Sequence, residues 1–161
     1  MPFLVASKKR FLAAFLGVGA LLSVVPAQAQ TRSSDMEGTW IVQEKDGVFH
    51  IAPCPSESDR LCGWLIGMAY TDAEPEKDYR GVSECGMEII SSMKRRKNGH
   101  WHGKVLDPRT GRSYHANMWL AEDGTLKLRG YVGLALFGET QTWSRIANPT
   151  IGERCRMKRG G

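Results

Sequence analysis

The residues best able to do chemistry in this sequence are three histidines, a run of acids and four cysteines. His100 and His102 stand two apart in a segment of strand character, and His115 falls on the same face of the next such segment. Imidazoles converging across two strands are a transition-metal arrangement. Here no acid interleaves with them and Lys104 falls directly across from His115, so they read as solvated histidines and no metal is assigned. Asp72, Glu74, Glu76 and Asp78 alternate as calcium ligands do. A calcium loop of that kind needs glycine where Lys77 stands and a bidentate glutamate where Ser83 stands, so the run reads as a solvated acidic loop.

Cys54, Cys62, Cys85 and Cys155 show neither a C-x-x-C nor a paired metal spacing, and an even count reads as a disulfide framework, given the export expected from the leader described below. Cys54 and Cys62 flank a Pro-Ser-Glu-Ser-Asp turn segment, which favours that pair and leaves Cys85 with Cys155. There is no Gly-x-Ser-x-Gly elbow, and Gly130, Gly133 and Gly138 precede no helix that would cradle a phosphate. Asp107, Arg109 and Arg129 read as polar support for a turn and strand. With no nucleophile and no acid–base pair, the chain is read as non-enzymatic and without a cofactor.

All of these residues follow a distinctive leader. Lys8, Lys9 and Arg10 precede an apolar run from Phe11 to Val25, Pro26 breaks it, and Ala27-Gln28-Ala29 puts small residues at signal-peptidase positions. The run is short for a bilayer span, so residues 1–29 are expected to be a signal peptide cleaved after Ala29, giving a periplasmic or secreted protein with no transmembrane span. The leader carries three of the 22 basic residues and none of the 17 acids, so the net charge of +5 falls to +2 once it is removed. That argues against a nucleic-acid partner. The local basic runs, Lys94-Arg95-Arg96-Lys97 and the tail with Arg154, Arg156, Lys158 and Arg159, read as solvated.

The elements that must position these residues are strands. Short alternating apolar–polar runs separated by Gly, Pro and Asp punctuation predict strands at residues 39–44, 48–52, 61–70, 86–91, 100–106, 112–121, 125–132 and 139–146. Residues 30–36 and 147–161 are expected to be mobile ends, the latter a basic tail partly held if Cys155 is paired. Pairing Asp107 with Arg112 sets Val105 beside Tyr114 and Gly103 beside Ala116. A three-residue turn of Glu122, Asp123 and Gly124 sets Leu120 against Leu126 and Met118 against Leu128. A two-residue turn would invert the face and expose the whole apolar set, so burial selects the longer one. The fold class is all-β, a single antiparallel meander of about eight strands.

Several blocks are distinctive: Gly38-Thr-Trp40, Leu61-Cys62-Gly63, Asp107-Pro-Arg-Thr-Gly-Arg-Ser-Tyr114, and Leu126-Lys-Leu-Arg-Gly-Tyr-Val-Gly133 continuing through Phe137-Gly138 to Thr140-Gln-Thr-Trp-Ser-Arg145. From about Glu37 to Ile146 the chain resembles the DUF2147 family of exported bacterial proteins, whose function is unknown. That resemblance implies a lipocalin-like barrel over residues 37–146, closed where Arg145 of the last strand lies on Trp40 of the first. An Asn-Pro pair expected in the 71–84 loop is absent.

Such a barrel has an interior either filled by side chains or just wide enough for one small ligand. The first reading is a binding module for a small hydrophobic or amphipathic ligand, lined by Leu65, Ile66, Met68, Tyr114, Met118, Leu126 and Leu128. Gly63, Gly67, Gly103, Ala116 and Gly130 are expected to leave it room. The alternative is an interaction protein of the cell envelope with a packed core, using Trp64, Trp119 and Tyr131 on its outer face.

Overall fold

A sheet with one apolar face must dry that face, and a single long meander does so by curling onto itself and losing its edges. The computed structural model describes residues 33–157 and shows that arrangement. Eight strands run in order: β1 (Gly38–Ile41), β2 (Gly47–Cys54), β3 (Glu57–Met68), β4 (Glu88–Arg95), β5 (Trp101–Asp107), β6 (Arg112–Leu120), β7 (Leu126–Tyr131) and β8 (Glu139–Arg145). Each pairs antiparallel with its successor, and β8 returns to β1 with Trp40 opposite Arg145, so the barrel is closed. This is the predicted all-β meander. The leader, its cleavage point and residues 158–161 lie outside the described residues. Among the described residues no helix is long and apolar enough to cross a membrane.

Turn chemistry sets the register. Asp107 pairs with Arg112, Val105 with Tyr114 and Gly103 with Ala116. Asp107 accepts from the Arg109 amide and the Thr110 hydroxyl, which fixes the loop between β5 and β6. At the β6–β7 hairpin Leu120 faces Leu126 and Met118 faces Leu128, as burial required. Gly124 takes φ +78°, the left-handed conformation that this turn needs. Both expected disulfides are present, Cys54–Cys62 and Cys85–Cys155.

The two ends of the barrel differ. At one end Trp40, Ile51, Leu61, Met93, Met118 and Leu126 are essentially without exposure and fill the interior. The helical turn α1 (Ser33–Met36) plugs that end from below. Its Met36 is fully buried, and the Met36 carbonyl accepts the Trp40 indole N–H at 2.9 Å. The described part of the segment expected to be mobile is thus structural: an open barrel floor needs an apolar cover, and Met36 supplies it.

The tail is likewise docked as far as Met157. Gly67 lacks a side chain and leaves a groove on the outer wall, which Val48, Ile151 and Met157 fill. The Met157 amide donates to the Met68 carbonyl at 2.9 Å. Arg156 lies 4.2 Å over the Tyr70 ring and donates to the Asp72 carbonyl, while Arg154 pairs with Glu74. Arg154 and Arg156 therefore meet the acidic loop of the same chain, Arg154 while remaining exposed. In the run at 94–97 Lys94, Arg96 and Lys97 are exposed as expected, but β4 runs on to Arg95, beyond its expected end at residue 91, past an irregularity where Ser92 takes φ +48°.

Candidate functional site

Above the packed floor the barrel is open. One chamber, of about 590 Å³, lies between β5, β6, β7 and β8 and is lined by Val105, Tyr114, Leu128, Gly130, Phe137 and Gln141 among others. A second, of about 430 Å³, is lined by Phe49, Leu65, Met68, Ile89, Glu84 and Trp143 among others. Val105, Leu128 and Gln141 line both, so the chambers adjoin. Phe49 and Trp143 stack with centroids 4.7 Å apart and give the second chamber an aromatic base.

The long loop between β3 and β4 crosses this mouth. Its Tyr79 amide donates to the Pro108 carbonyl of the β5–β6 turn, and the Tyr79 ring packs against Gly111. Asp78 is buried and accepts from the Arg80 and Val82 amides, with the Arg80 guanidinium beside it. Burial pushes the Asp78 carboxyl up, but the bonds from Val82 and Arg80 outweigh it and hold it below the ordinary range. The acidic run read as solvated is therefore partly built into the lid, with Asp78 as its internal staple and Glu76 lining the second chamber.

Of the expected lining residues, Leu65, Met68, Tyr114 and Leu128 line a chamber. Met118 and Leu126 are wholly buried in the packed floor below. Ile66 lines neither chamber. It is the extra residue of a bulge, since Val48 pairs with Gly67 and Phe49 with Leu65. The added residue breaks strict alternation, which is how Leu65 and Met68, three apart, both face inward.

The glycines expected to leave room mostly do not. A Cβ at Gly63 would meet Ile90 at 3.0 Å, and one at Gly103 would meet the Met93 sulfur and the Ser91 carbonyl oxygen at 2.5 Å. Ala116 is fully buried in the core. Gly130 alone of this group borders open space, with Val105 Cγ1 at 3.5 Å its only near neighbour.

Glu84 was not read as a site residue. Its side chain lines the second chamber, the residue is only 6% exposed, and its Oε1 has no hydrogen-bond partner. Burial pushes its carboxyl above the ordinary value, Glu76, Asp78 and Asp107 push the same way, and Arg109 opposes them. No sequence signal marks it, because a loop residue's direction depends on how the loop packs. Gln141 was legible in principle: it sits opposite the inward Leu128, a polar residue on an apolar face.

The other features of the surface are structural. His100 stacks on Trp119 and His115 on Tyr131, so two of the histidines pack on separate aromatics. Among the described residues no group of His, Cys, Asp or Glu is placed to hold a metal ion. Trp64, Trp119 and Tyr131 are each half-buried, and the strongly exposed apolar residues lie instead at the mouth: Val132, Leu134, Leu136 and Phe137. Arg129 holds that rim loop by donating to the Ala135 and Leu136 carbonyls and to Thr140, and takes no part in a cluster with Asp107.

Arg145 lies 4.2 Å over the Trp40 ring and donates to the Asp35 and Glu37 carbonyls, tying the last strand to the first and to the plug. Gly38, at φ +126°, has no Cβ to strike the Arg145 guanidinium, which would stand 2.5 Å away.

Comparison with known proteins agrees with this architecture. A protein from the human pathogen Helicobacter pylori, HP1028, described as belonging to the lipocalin family, is similar in structure with a TM-score of 0.58. The two are 18% identical, and the similarity covers 70% of this chain and 83% of that one. At that identity the likeness speaks for the fold. No curated protein matches the chain by sequence. Residues 38–145, the whole barrel from β1 to β8, match the family described as uncharacterized protein conserved in bacteria, and the chain accordingly belongs to DUF2147.

Proposed function

We propose that the protein is an exported, non-enzymatic carrier that holds a small hydrophobic or amphipathic ligand in the open half of its barrel. The observation that carries this reading is the pair of adjoining chambers, about 590 and 430 Å³. Ligand sites are commonly about 300–1,000 Å³, mostly apolar, with a few placed polar groups. Here the apolar walls are Phe49, Leu65, Val105 and Leu128, and the polar groups are Gln141, Tyr114 and Glu84. Two disulfides favour an oxidising compartment, and with the leader-like first 29 residues they support a periplasmic or secreted location.

The alternative, an envelope interaction protein, draws support from the apolar rim at Val132, Leu134, Leu136 and Phe137. It does not account for an unfilled interior, which lowers packing and forgoes dispersion contacts for no gain in a purely structural barrel. Native mass spectrometry of the protein purified gently from periplasm, before and after organic extraction, tests the carrier reading. Added mass that extraction removes supports it. A clean apo mass, with no uptake from a lipid and amphiphile panel, refutes it and favours the interaction protein.

A further inference from the structure

The cavity has a sign. Glu44, Asp46, Glu76 and Glu84 line the second chamber, and Asp107 and Glu139 line the first. No lysine, arginine or histidine among the described residues lines either. This runs against the chain as a whole, whose net charge is +5 and still +2 without the leader. Exposed acids at a rim carry little meaning by themselves, but Glu84 is different in kind. It is more than nine-tenths buried, it faces the chamber, and its Oε1 has neither protein partner nor exposure. A buried carboxylate oxygen left unpaired is costly, and native structures rarely keep one without use.

The cation with most influence on it, Arg109, is directed elsewhere. Its side chain is 80% exposed and its Nε stands 3.6 Å from Asp107. Directly beneath, the stacked Phe49 and Trp143 offer aromatic surface suited to an apolar body, and Tyr70 adds another ring at the chamber edge.

Resting on the carrier reading above, we infer that the ligand is a cationic amphiphile, an organic amine or ammonium whose charged head meets Glu84 beneath the lid while its apolar body lies along Leu65, Leu128 and Trp143. A turn of the Glu84 carboxyl that uncovers Oε1 lets an ammonium in the chamber supply the donor this oxygen lacks, and the surrounding acids raise the local concentration of cations. A fatty acid would place a second carboxylate against Glu84 and is disfavoured by the same geometry.

The test compares three probes of equal chain length, dodecylammonium, dodecanol and dodecanoate, binding to the oxidised protein lacking its leader. Tryptophan fluorescence at neutral pH and below micelle formation reports the binding. The wild type is expected to bind dodecylammonium about tenfold more tightly than dodecanol, with dodecanoate weakest. Glu84→Gln should erase that preference, whereas Glu122→Gln, in the β6–β7 turn at the opposite end, should keep it. Dodecanol or dodecanoate binding as tightly as dodecylammonium overturns the headgroup assignment while leaving the carrier reading standing. No binding of any probe by the wild type removes both. The ranking in the wild type needs no variant, so it decides the matter even where Glu84→Gln fails to fold.

Discussion

Two glycines of similar appearance in the sequence should respond oppositely to the same one-carbon change. Gly103 and Gly130 both lie on the inner face of mid-barrel strands, and both flank Ala116, Gly103 from β5 and Gly130 from β7. At Gly103 a Cβ would stand 2.5 Å from the Ser91 carbonyl oxygen and 2.9 Å from Met93 Cα, both backbone atoms of the neighbouring strand, as well as 2.5 Å from the Met93 sulfur. The sulfur can swing away, but the backbone can yield only by parting β4 from β5. Overpacking of this kind costs about 1–3 kcal/mol, and a domain of this size loses roughly 4 °C of Tm per kcal/mol, so Gly103→Ala should melt about 4–12 °C lower. At Gly130 the nearest atom would be Val105 Cγ1 at an ordinary 3.5 Å, with the cavity beyond. Alanine removes glycine's extra unfolded-state freedom there, and Gly130→Ala should be neutral or up to about 1 kcal/mol more stable. Thermal melts of both variants under oxidising conditions make the comparison. Equal shifts, or a Gly103→Ala that melts with the wild type, would refute the assignment of a filled and an unfilled side of the barrel.

Three further outcomes follow from the same architecture. The Cys85–Cys155 bridge closes a separation of 70 residues and Cys54–Cys62 one of 8, so loop-closure entropy makes their loss worth about 4.4 and about 2.5 kcal/mol respectively. Denaturant midpoints of the two double Cys→Ser variants should fall in that order, and the reverse order would contradict it. Arg145→Ala gives up two charged donors to backbone and the contact over Trp40. At an exposed position that amounts to about 1–2 kcal/mol with a red shift in Trp40 emission, and unchanged emission would count against the closure role. Glu84 has its folded-state pKa raised, first by burial. Its ionisation therefore opposes folding: the protein without ligand loses stability as pH rises from the ordinary carboxylate value through the raised one, and recovers it on acidification. Glu84→Gln should raise Tm at neutral pH, with the gain shrinking toward acid, and a pH-independent difference would show that the carboxylate is not the cause.

The architecture was legible because it is fixed by local rules. Alternation marked all eight strands, and the β6–β7 register could be chosen between two turns because one of them exposed Leu126 and Leu128. The apolar character of Met118 and Leu126 could not say whether they border a void. Packed floor and cavity wall demand the same residue types, and only their height along the barrel axis separates them. Ile66 failed for a different reason: a bulge is a property of two paired strands, and the sequence of β3 alone carries no mark of it. Nor could the plug be foreseen, since α1 is one turn long and is held by tertiary contacts of Met36. Glu84 belongs to the same class, an acid among acids until the lid loop folds it under.

On the carrier reading, that division along the axis also separates stability from function. At the floor, Trp40, Met93 and Met118 are without exposure, and Arg145 and Met36 lock the closure. At the mouth the barrel holds a cavity, the lid loop an unpaired buried carboxylate and the β7–β8 loop an exposed apolar rim, all of which cost stability. Unpaired buried polar atoms occur toward the floor as well, at Trp101 Nε1 and Arg95 Nε, so it is the cavity and the exposed apolar rim that set the mouth apart. The lid makes the asymmetry sharper, because it is secured at both of its sides, through Tyr79 to the Pro108 turn and through Cys85 to the docked tail. Covalent anchorage of a loop that covers a mostly apolar opening makes sense where the opening must hold something and shield it from water. The structural economy of the floor is what lets the mouth remain unfilled.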